Sequence, residues 1–262
     1  MDNIEILYED NDILVCRKPA GIAVQSSNVT IPDMETLLRS IIIRRGESKN
    51  KSTVLHVIHR LDQPVEGIIV FGRNKKAAAA LSSQVQADGD MNKTYLAVVY
   101  GSFSEDLKSG ELKDYIYKDS KTKRAVVTAS KDSDKDNPSS RAKESRLEYK
   151  VISELEIPAD KMPDTSDEEN ITNKISLVEV KLYTGRFHQI RAQFSNIGHP
   201  LLGDNRYNSP NSAKLSTIIG VKNVALCGYR LTFKHPVSKK EMNFEVTPNA
   251  QIFKEFDHSD QI

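Results

Sequence analysis

Short apolar runs of β character, each closed by glycine, proline or a polar turn, limit the folds open to this chain. Gly67-Ile68-Ile69-Val70-Phe71 is β-branched and aromatic almost throughout, which fits a strand covered on both faces. Lys93 to Tyr100 has the same character and stops at Gly101. Further strand patterns fall at 112–117, 124–128, 144–152, 175–183, 224–233 and 241–246, the last two forming a hairpin around His235-Pro236. At the start, 4–8 and 12–17 read as two strands separated by Glu9-Asp10-Asn11, and Lys18-Pro19-Ala20-Gly21 ends the second. Helical patterns are fewer. One covers 34–41 behind Asp33 as N-cap, one covers 75–86 behind Asn74, and one covers about 187–197 with Gly198 as its stop. Residues 46–53, 130–143 and 154–174 are polar and read as exposed loops or hairpin tips. The expectation is an α+β fold with a mixed, mostly antiparallel central sheet and flanking helices, as a single domain over 1–262.

Composition narrows the functional classes. With 38% hydrophobic and 28% charged residues, the 262-residue chain can bury a core. No apolar run approaches the roughly 18–20 residues that span a bilayer, and the acidic opening Met1-Asp2-Asn3-Ile4-Glu5 is unlike a signal peptide. A soluble, cytoplasmic protein is expected. Cys16 and Cys227, the only cysteines, make no disulfide framework, and the histidines match no zinc spacing, so neither metal nor organic cofactor is expected. Net charge is +1, from 37 Lys+Arg against 36 Asp+Glu, which by itself gives no support to a nucleic-acid partner. The distribution is uneven, however. Acidic residues crowd into 154–169, while Lys49, Lys51, Arg60, Arg73, Lys75 and Lys76, and again Lys121, Lys123 and Arg124, form basic groups.

Three segments carry candidate chemistry: His59-Arg60-Leu61-Asp62 followed by Gly67; Lys93-Thr94-Tyr95-Leu96-Ala97-Val98-Val99-Tyr100-Gly101; and Thr184-Gly185-Arg186-Phe187-His188-Gln189-Ile190-Arg191. Taken singly, each is ambiguous. A loop aspartate is usually a turn or capping residue, a strand tyrosine is usually core, and a helical arginine often makes only a surface ion pair. In this order and spacing the segments resemble the RluA-type family of pseudouridine synthases. The opening Tyr8 to Val15 running into Lys18-Pro19-Ala20-Gly21, and the later Gly198-His199-Pro200-Leu201-Leu202-Gly203-Asp204, resemble it too. The likeness runs from about Ile6 to Pro248.

That resemblance implies an isomerase that breaks the N1–C1′ bond of a uridine in structured ribosomal or transfer RNA, turns the base and rejoins it through C5, without cofactor. It assigns Asp62 as the catalytic carboxylate, Arg191 as the cation that keeps Asp62 ionised, and Tyr95 as the ring that stacks on the base. Arg60 would fill the space left by the flipped nucleotide, and His59, Arg186, His188 and Gln189 would contribute to substrate binding. His59 and His188 read as hydrogen-bonding framework, and Gly67 and Gly185 as backbone-conformation positions. A carboxylate suits the reaction because it can attack C1′ or add to the base, and flipping is required because a stacked nucleotide hides both atoms. RNA is the expected partner, with no membrane, no obligate protein partner and a monomeric state.

One departure stands out. Where the family often carries Thr-Ser before the glycine of its second motif, this chain has Val65-Glu66. The small S4-like domain that many relatives carry at the N-terminus is not expected, since the first motif begins at about residue 6. Two other functions are open at this point. One is a non-catalytic RNA-binding or ribosome-assembly protein that keeps the fold. The other is a glycoside hydrolase using Asp62 and Glu66 as a carboxylate pair, against which stands the absence of any Trp for sugar stacking.

Overall fold

The computed structural model describes residues 4–28, 30–46, 54–86, 89–132, 137–162 and 171–256. The loops expected at 46–53, 130–143 and 154–174 therefore lie partly outside the described residues. In chain order the elements are β1 (Ile6–Glu9), β2 (Ile13–Lys18), α1 (Met34–Arg44), β3 (His56–Val57), β4 (Glu66–Gly72), α2 (Lys75–Gln84) and β5 (Asn92–Tyr100). There follow β6 (Ser109–Lys118), β7 (Ala125–Thr128), β8 (Lys143–Glu156), β9 (Lys174–Leu182), α3 (Gln189–Asn196), α4 (Pro210–Ile218), β10 (Leu226–Lys234), β11 (Glu241–Glu245) and α5 (Gln251–Lys254). The α+β class with mostly antiparallel pairing is as the sequence predicts. The chain divides into two compact units, one of Met1–Thr94 with Cys227–Pro248 and one of Tyr95–Leu226 with Asn249–Ile262.

In the first unit the strand order is β1-β2-β4-β10, with β3 on β4 and β11 on β10. All of these pairs are antiparallel except β4 with β10, which run parallel. Every residue of β4 is buried; the apolar run Ile68–Phe71 suits a strand covered on both faces, and Glu66 at its start is buried as an ion pair with Arg17. Leu14 and Cys16 of β2 and Ile69 and Phe71 of β4 share one face by the two-residue period. They pack with Met34, Leu38 and Ile42, the i, i+4, i+8 stripe of α1. Asp33 starts α1 through a capping box, its carboxylate accepting the Thr36 N–H at 2.9 Å while the Thr36 hydroxyl accepts the Asp33 N–H. Asn74 caps α2 by accepting the Ala77 N–H at 2.9 Å.

The second unit has the order β5-β9-β8-β6-β7. The β9–β8, β8–β6 and β6–β7 pairs are antiparallel. Helix α3 is buried from Gln189 through Phe194, and its Ala192 packs with Ile116, Ala125 and Tyr207. The helix ends as expected, at Gly198 in a left-handed conformation with φ +87°. Among the described residues no helix is long and apolar enough to cross a membrane.

Candidate active site

The candidate residues divide between the units: His59, Arg60 and Asp62 belong to the first, and Tyr95, Arg186, His188, Gln189 and Arg191 to the second.

In the first unit Asp62 stands half-buried on the connection between β3 and β4. The Asp62 carbonyl accepts the Val65 N–H at 3.0 Å, closing a tight turn around Gln63-Pro64. The turn is tied to the end of β2 from both sides. Gly21 N–H donates to the Gln63 carbonyl at 2.8 Å, and Gln63 Nε2 donates back to the Gly21 carbonyl at 3.1 Å. Lys18, fully buried, donates its ammonium to the same Gln63 carbonyl at 3.1 Å. Catalytic groups gain precision when their loop is fastened to sheet in this way.

Gly67 explains how the strand after the turn can lie where it does. Its φ is +141°, a region open in practice only to glycine, and it faces Gly228 across the parallel β4–β10 pair. A Cβ on Gly67 would sit 2.5 Å from the Gly228 nitrogen. The left-handed residue of the 184–191 segment is His188, at φ +52°.

His59 is buried, and its Nε2 accepts the Val70 N–H at 3.3 Å, so the ring proton lies on Nδ1. Burial, and next the positive charge of Lys93, push its pKa down to about 3. A ring that stays neutral at working pH fits the framework role and not acid–base exchange. Arg60, beside it, is exposed. Glu66 is buried with its Oε2 3.2 Å from Arg17 Nη2, an inward, ion-paired setting that does not suit the second carboxylate of a glycosidase.

Asp10, Asp12 and His235 also come together in the first unit, with ligand-type atoms within 4.8 Å of one another. Their hydrogen bonds account for the grouping. His235 Nδ1 faces the N–H groups of Val237 and Ser238 at 3.3 and 3.0 Å, which leaves Nε2 to donate to Asp10 at 2.9 Å. Asp12 accepts from Asn74 Nδ2 at 2.8 Å.

In the second unit Arg191 is held by Asp204, a residue to which no role was assigned above. Its Nε donates to Asp204 Oδ2 at 2.7 Å and its Nη2 to Asp204 Oδ1 at 2.9 Å, a bidentate pair with side chains 3% and 0% exposed. Burial opposes the Asp204 charge, but the Arg191 hydrogen bonds and charge, with the Arg206 and Tyr207 amides, outweigh it and hold the carboxyl below its usual range. Tyr207 packs its ring 5.2 Å from the Arg191 guanidinium. Its hydroxyl accepts the Ala125 N–H at 2.6 Å and hydrogen-bonds with His188 Nδ1 at 2.8 Å. His188, Arg191, Asp204 and Tyr207 thus form one cluster. The only sequence signal for Asp204 was its place at the end of Gly198–Asp204.

Gln189, expected to touch substrate, uses its amide within its own segment and toward β8. Its Oε1 accepts from Thr184 Oγ1 at 2.9 Å and from the Arg186 N–H at 3.0 Å, and its Nε2 donates to the Arg146 carbonyl at 3.2 Å. Arg186 Nε donates to the Glu144 carbonyl at 2.7 Å. Phe187 is 37% exposed and stacks on His188 with centroids 3.7 Å apart. Tyr95, in β5, is only 6% exposed.

Residues 12–196 match the family model for RNA pseudouridylate synthase. A tRNA pseudouridine synthase C of Pasteurella multocida is 29% identical over 91% of this chain and 89% of its own. An uncharacterised RNA pseudouridine synthase of Aquifex aeolicus is 31% identical over 93% of this chain and 69% of its own. Ribosomal large subunit pseudouridine synthase D of Zymomonas mobilis is 28% identical over 92% and 68%. Among solved structures, human RNA pseudouridylate synthase domain containing 4 shares the fold, with a TM-score of 0.69 and 20% identity over 96% of this chain and 92% of that one.

Proposed function

We propose, because the chain belongs to the RluA-type family of RNA pseudouridylate synthases, that Asp62 is the carboxylate with which it converts uridine to pseudouridine in structured RNA. The observation that carries this reading is the Asp62 turn, pinned to β2 through Gln63, Gly21 and Lys18. A nucleophile must be held at a fixed attack geometry, and a fastened turn supplies that without further ordering on binding. Arg191 is assigned to keep Asp62 ionised against desolvation, and Asp204 to orient Arg191. Tyr95 is assigned to the base face, where stacking contributes roughly 1–3 kcal/mol. Arg60 is assigned to the gap left by the flipped nucleotide, and Arg186 and His188 to the RNA strand near it, with His59 and Gln189 supporting the backbone of their segments.

In this reading both units belong to one catalytic domain that acts as a cytoplasmic monomer on transfer or ribosomal RNA, the two substrate types that the relatives' names carry. Those names give no support to a non-catalytic role. The test is Asp62→Asn assayed for pseudouridine formation and RNA binding in parallel. Turnover should fall by at least about 10³-fold while RNA affinity stays within a few-fold. Wild-type turnover in the variant would remove Asp62 from the reaction.

A further inference from the structure

Among the described residues Phe187 is the only exposed phenylalanine or tyrosine, at 37%, and the other exposed large hydrophobic residues are aliphatic. A lone exposed apolar residue signals nothing by itself. What sets Phe187 apart is a ring fixed on one face and lightly covered on the other.

The fixing begins in the backbone. Gln189 N–H donates to the Arg186 carbonyl at 3.2 Å, closing a tight turn with Phe187 and His188 at its corner. His188 takes a left-handed conformation there, at φ +52°, which a residue with a side chain rarely adopts. Its carbonyl accepts the Ala192 N–H at 2.9 Å as the first bond of α3, and its Nδ1 hydrogen-bonds with the Tyr207 hydroxyl at 2.8 Å. The buried Tyr207 ring meets the imidazole edge-on, at 88° and 5.5 Å. Held in this way, the imidazole backs the Phe187 ring, with centroids 3.7 Å and planes 22° apart.

The other face carries one movable group. Lys118 closes β6 opposite Ala125 of β7, and its ammonium stands 4.5 Å from the Phe187 centroid. The stacked imidazole leaves no room for it on the same side. Lys118 is exposed, and a single cation over a ring at the surface is a weak contact that can be given up at small cost. Behind the imidazole, Arg124 and Arg191 each lie 5.2 Å from the Tyr207 ring. Phe187 is therefore two rings away from Arg191, the cation assigned to Asp62.

We propose that Phe187 is a stacking platform for a nucleobase that neighbours the target uridine: the base takes the place of the Lys118 ammonium on the ring, and the ammonium moves to the phosphate of the same nucleotide. The inference rests on the pseudouridine synthase reading, with Arg191 at Asp62, and adds a second aromatic contact to the one assigned to Tyr95. An unstacked base suits the ring because every base has a π-face, so the platform is tolerant of sequence. Charge decides the occupant. With Lys118 at one end of the stack and Arg124 at the other, an RNA strand brings phosphates to both, whereas an apolar protein segment would bury them unpaired.

The test uses the full-length protein and, as probe, an unmodified tRNA or rRNA-fragment transcript in which wild type forms pseudouridine. Binding is followed by the anisotropy of labelled RNA. Phe187→Leu keeps an apolar cover on His188 without a π-face. It should weaken binding about tenfold and leave the slope of log affinity against log salt unchanged, because no charge is removed. Phe187→Trp should bind within about threefold of wild type. The chain has no tryptophan of its own, so that variant carries a single indole at the platform, and its emission should be quenched along the same curve as the anisotropy. Lys118→Gln should lower the salt slope by about 0.7–0.9. Wild-type affinity in Phe187→Leu, equal weakening by Phe187→Leu and Phe187→Trp, or an indole that stays bright in the complex would each overturn the proposal. So would tighter binding by Lys118→Gln, the mark of a lysine that only covers the ring. Emission and affinity are read without turnover, so wild-type activity in Asp62→Asn would be a separate result. A failure of wild type to convert any transcript would overturn the functional reading and the platform together.

Discussion

Asp204 shows how a buried arginine, the one proposed to act on Asp62, is held in place. A guanidinium buried in protein needs its charge balanced and its plane fixed, and one bidentate carboxylate does both. Asp204 is itself fixed by accepting the Arg206 and Tyr207 N–H groups at 2.8 and 3.2 Å. Asp204→Asn would leave Arg191 with a buried charge and one weakened partner, a loss of about 3–5 kcal/mol by the cost of breaking buried pairs. Urea unfolding should show that loss, and pseudouridine formation should fall at pH 7 in protein that remains folded. A variant with wild-type stability would mean that Arg191 is balanced by something other than Asp204. Arg191 was legible in the sequence because it sits in a dense motif. Asp204 was legible only as the last letter of a later one, since residue type does not reveal a contact made thirteen positions away. Lys18 was harder still. Lysine is almost never fully buried unless paired, so Lys18-Pro19-Ala20-Gly21 read as a strand stop, which it is, and not also as the ammonium that holds the Asp62 turn.

At the scale of elements, legibility followed apolar pattern. The β-branched run 67–71 became β4, and the three helices with clear caps appeared with boundaries shifted by a few residues. Helix α4 was missed although Ser209 and Pro210 are sound start signals. Its buried positions are Ser212, Leu215 and Ser216, so it buries hydroxyls that bond back to the helix backbone and shows little hydrophobic period. Strand β8 runs on to Glu156, into residues read as loop, because Leu155 and Glu156 pair with Ile175 and Lys174 of β9. Long-range pairing overrode local polarity. Gly67 is where an element and the site meet. Gly67→Ala places a methyl against the Gly228 backbone and holds an alanine at φ +141°, which should cost roughly 3 kcal/mol or more. Denaturant melts measure it directly, and a loss under about 1 kcal/mol would mean that β4 and β10 can separate without penalty at this point.

Over the whole molecule the charges nearly cancel, at +1, so long-range attraction to RNA is weak and is screened beyond about 8 Å at physiological salt. Phosphate binding must then come from local groups. The β6–β7 hairpin is a candidate: Lys121, Lys123 and Arg124 are all exposed at its tip. Asp119 stiffens that tip by accepting the N–H groups of Lys121 and Thr122 at 2.9 and 2.6 Å, while its own N–H donates to the Arg124 carbonyl at 2.8 Å. Lys118 lies 4.5 Å from the exposed Phe187 ring and Arg124 5.2 Å from Tyr207, so cations and aromatic faces alternate beside His188 and Arg191. A rigid basic tip gains phosphate contacts at small cost in side-chain ordering, and each contact contributes about 0.7–0.9 to the slope of log affinity against log salt. Replacing Lys121, Lys123 and Arg124 together by Ala should lower that slope by about 2 and weaken binding to unrelated structured RNAs alike, with far less effect on turnover at saturating RNA. The exposed pair Lys239 and Lys240, at the β10–β11 turn, carries charge of the same sign, and its replacement should leave the slope unchanged. Equal effects from the two sets would mean that the RNA responds to total charge, and the hairpin tip would lose its claim as the surface that meets phosphate.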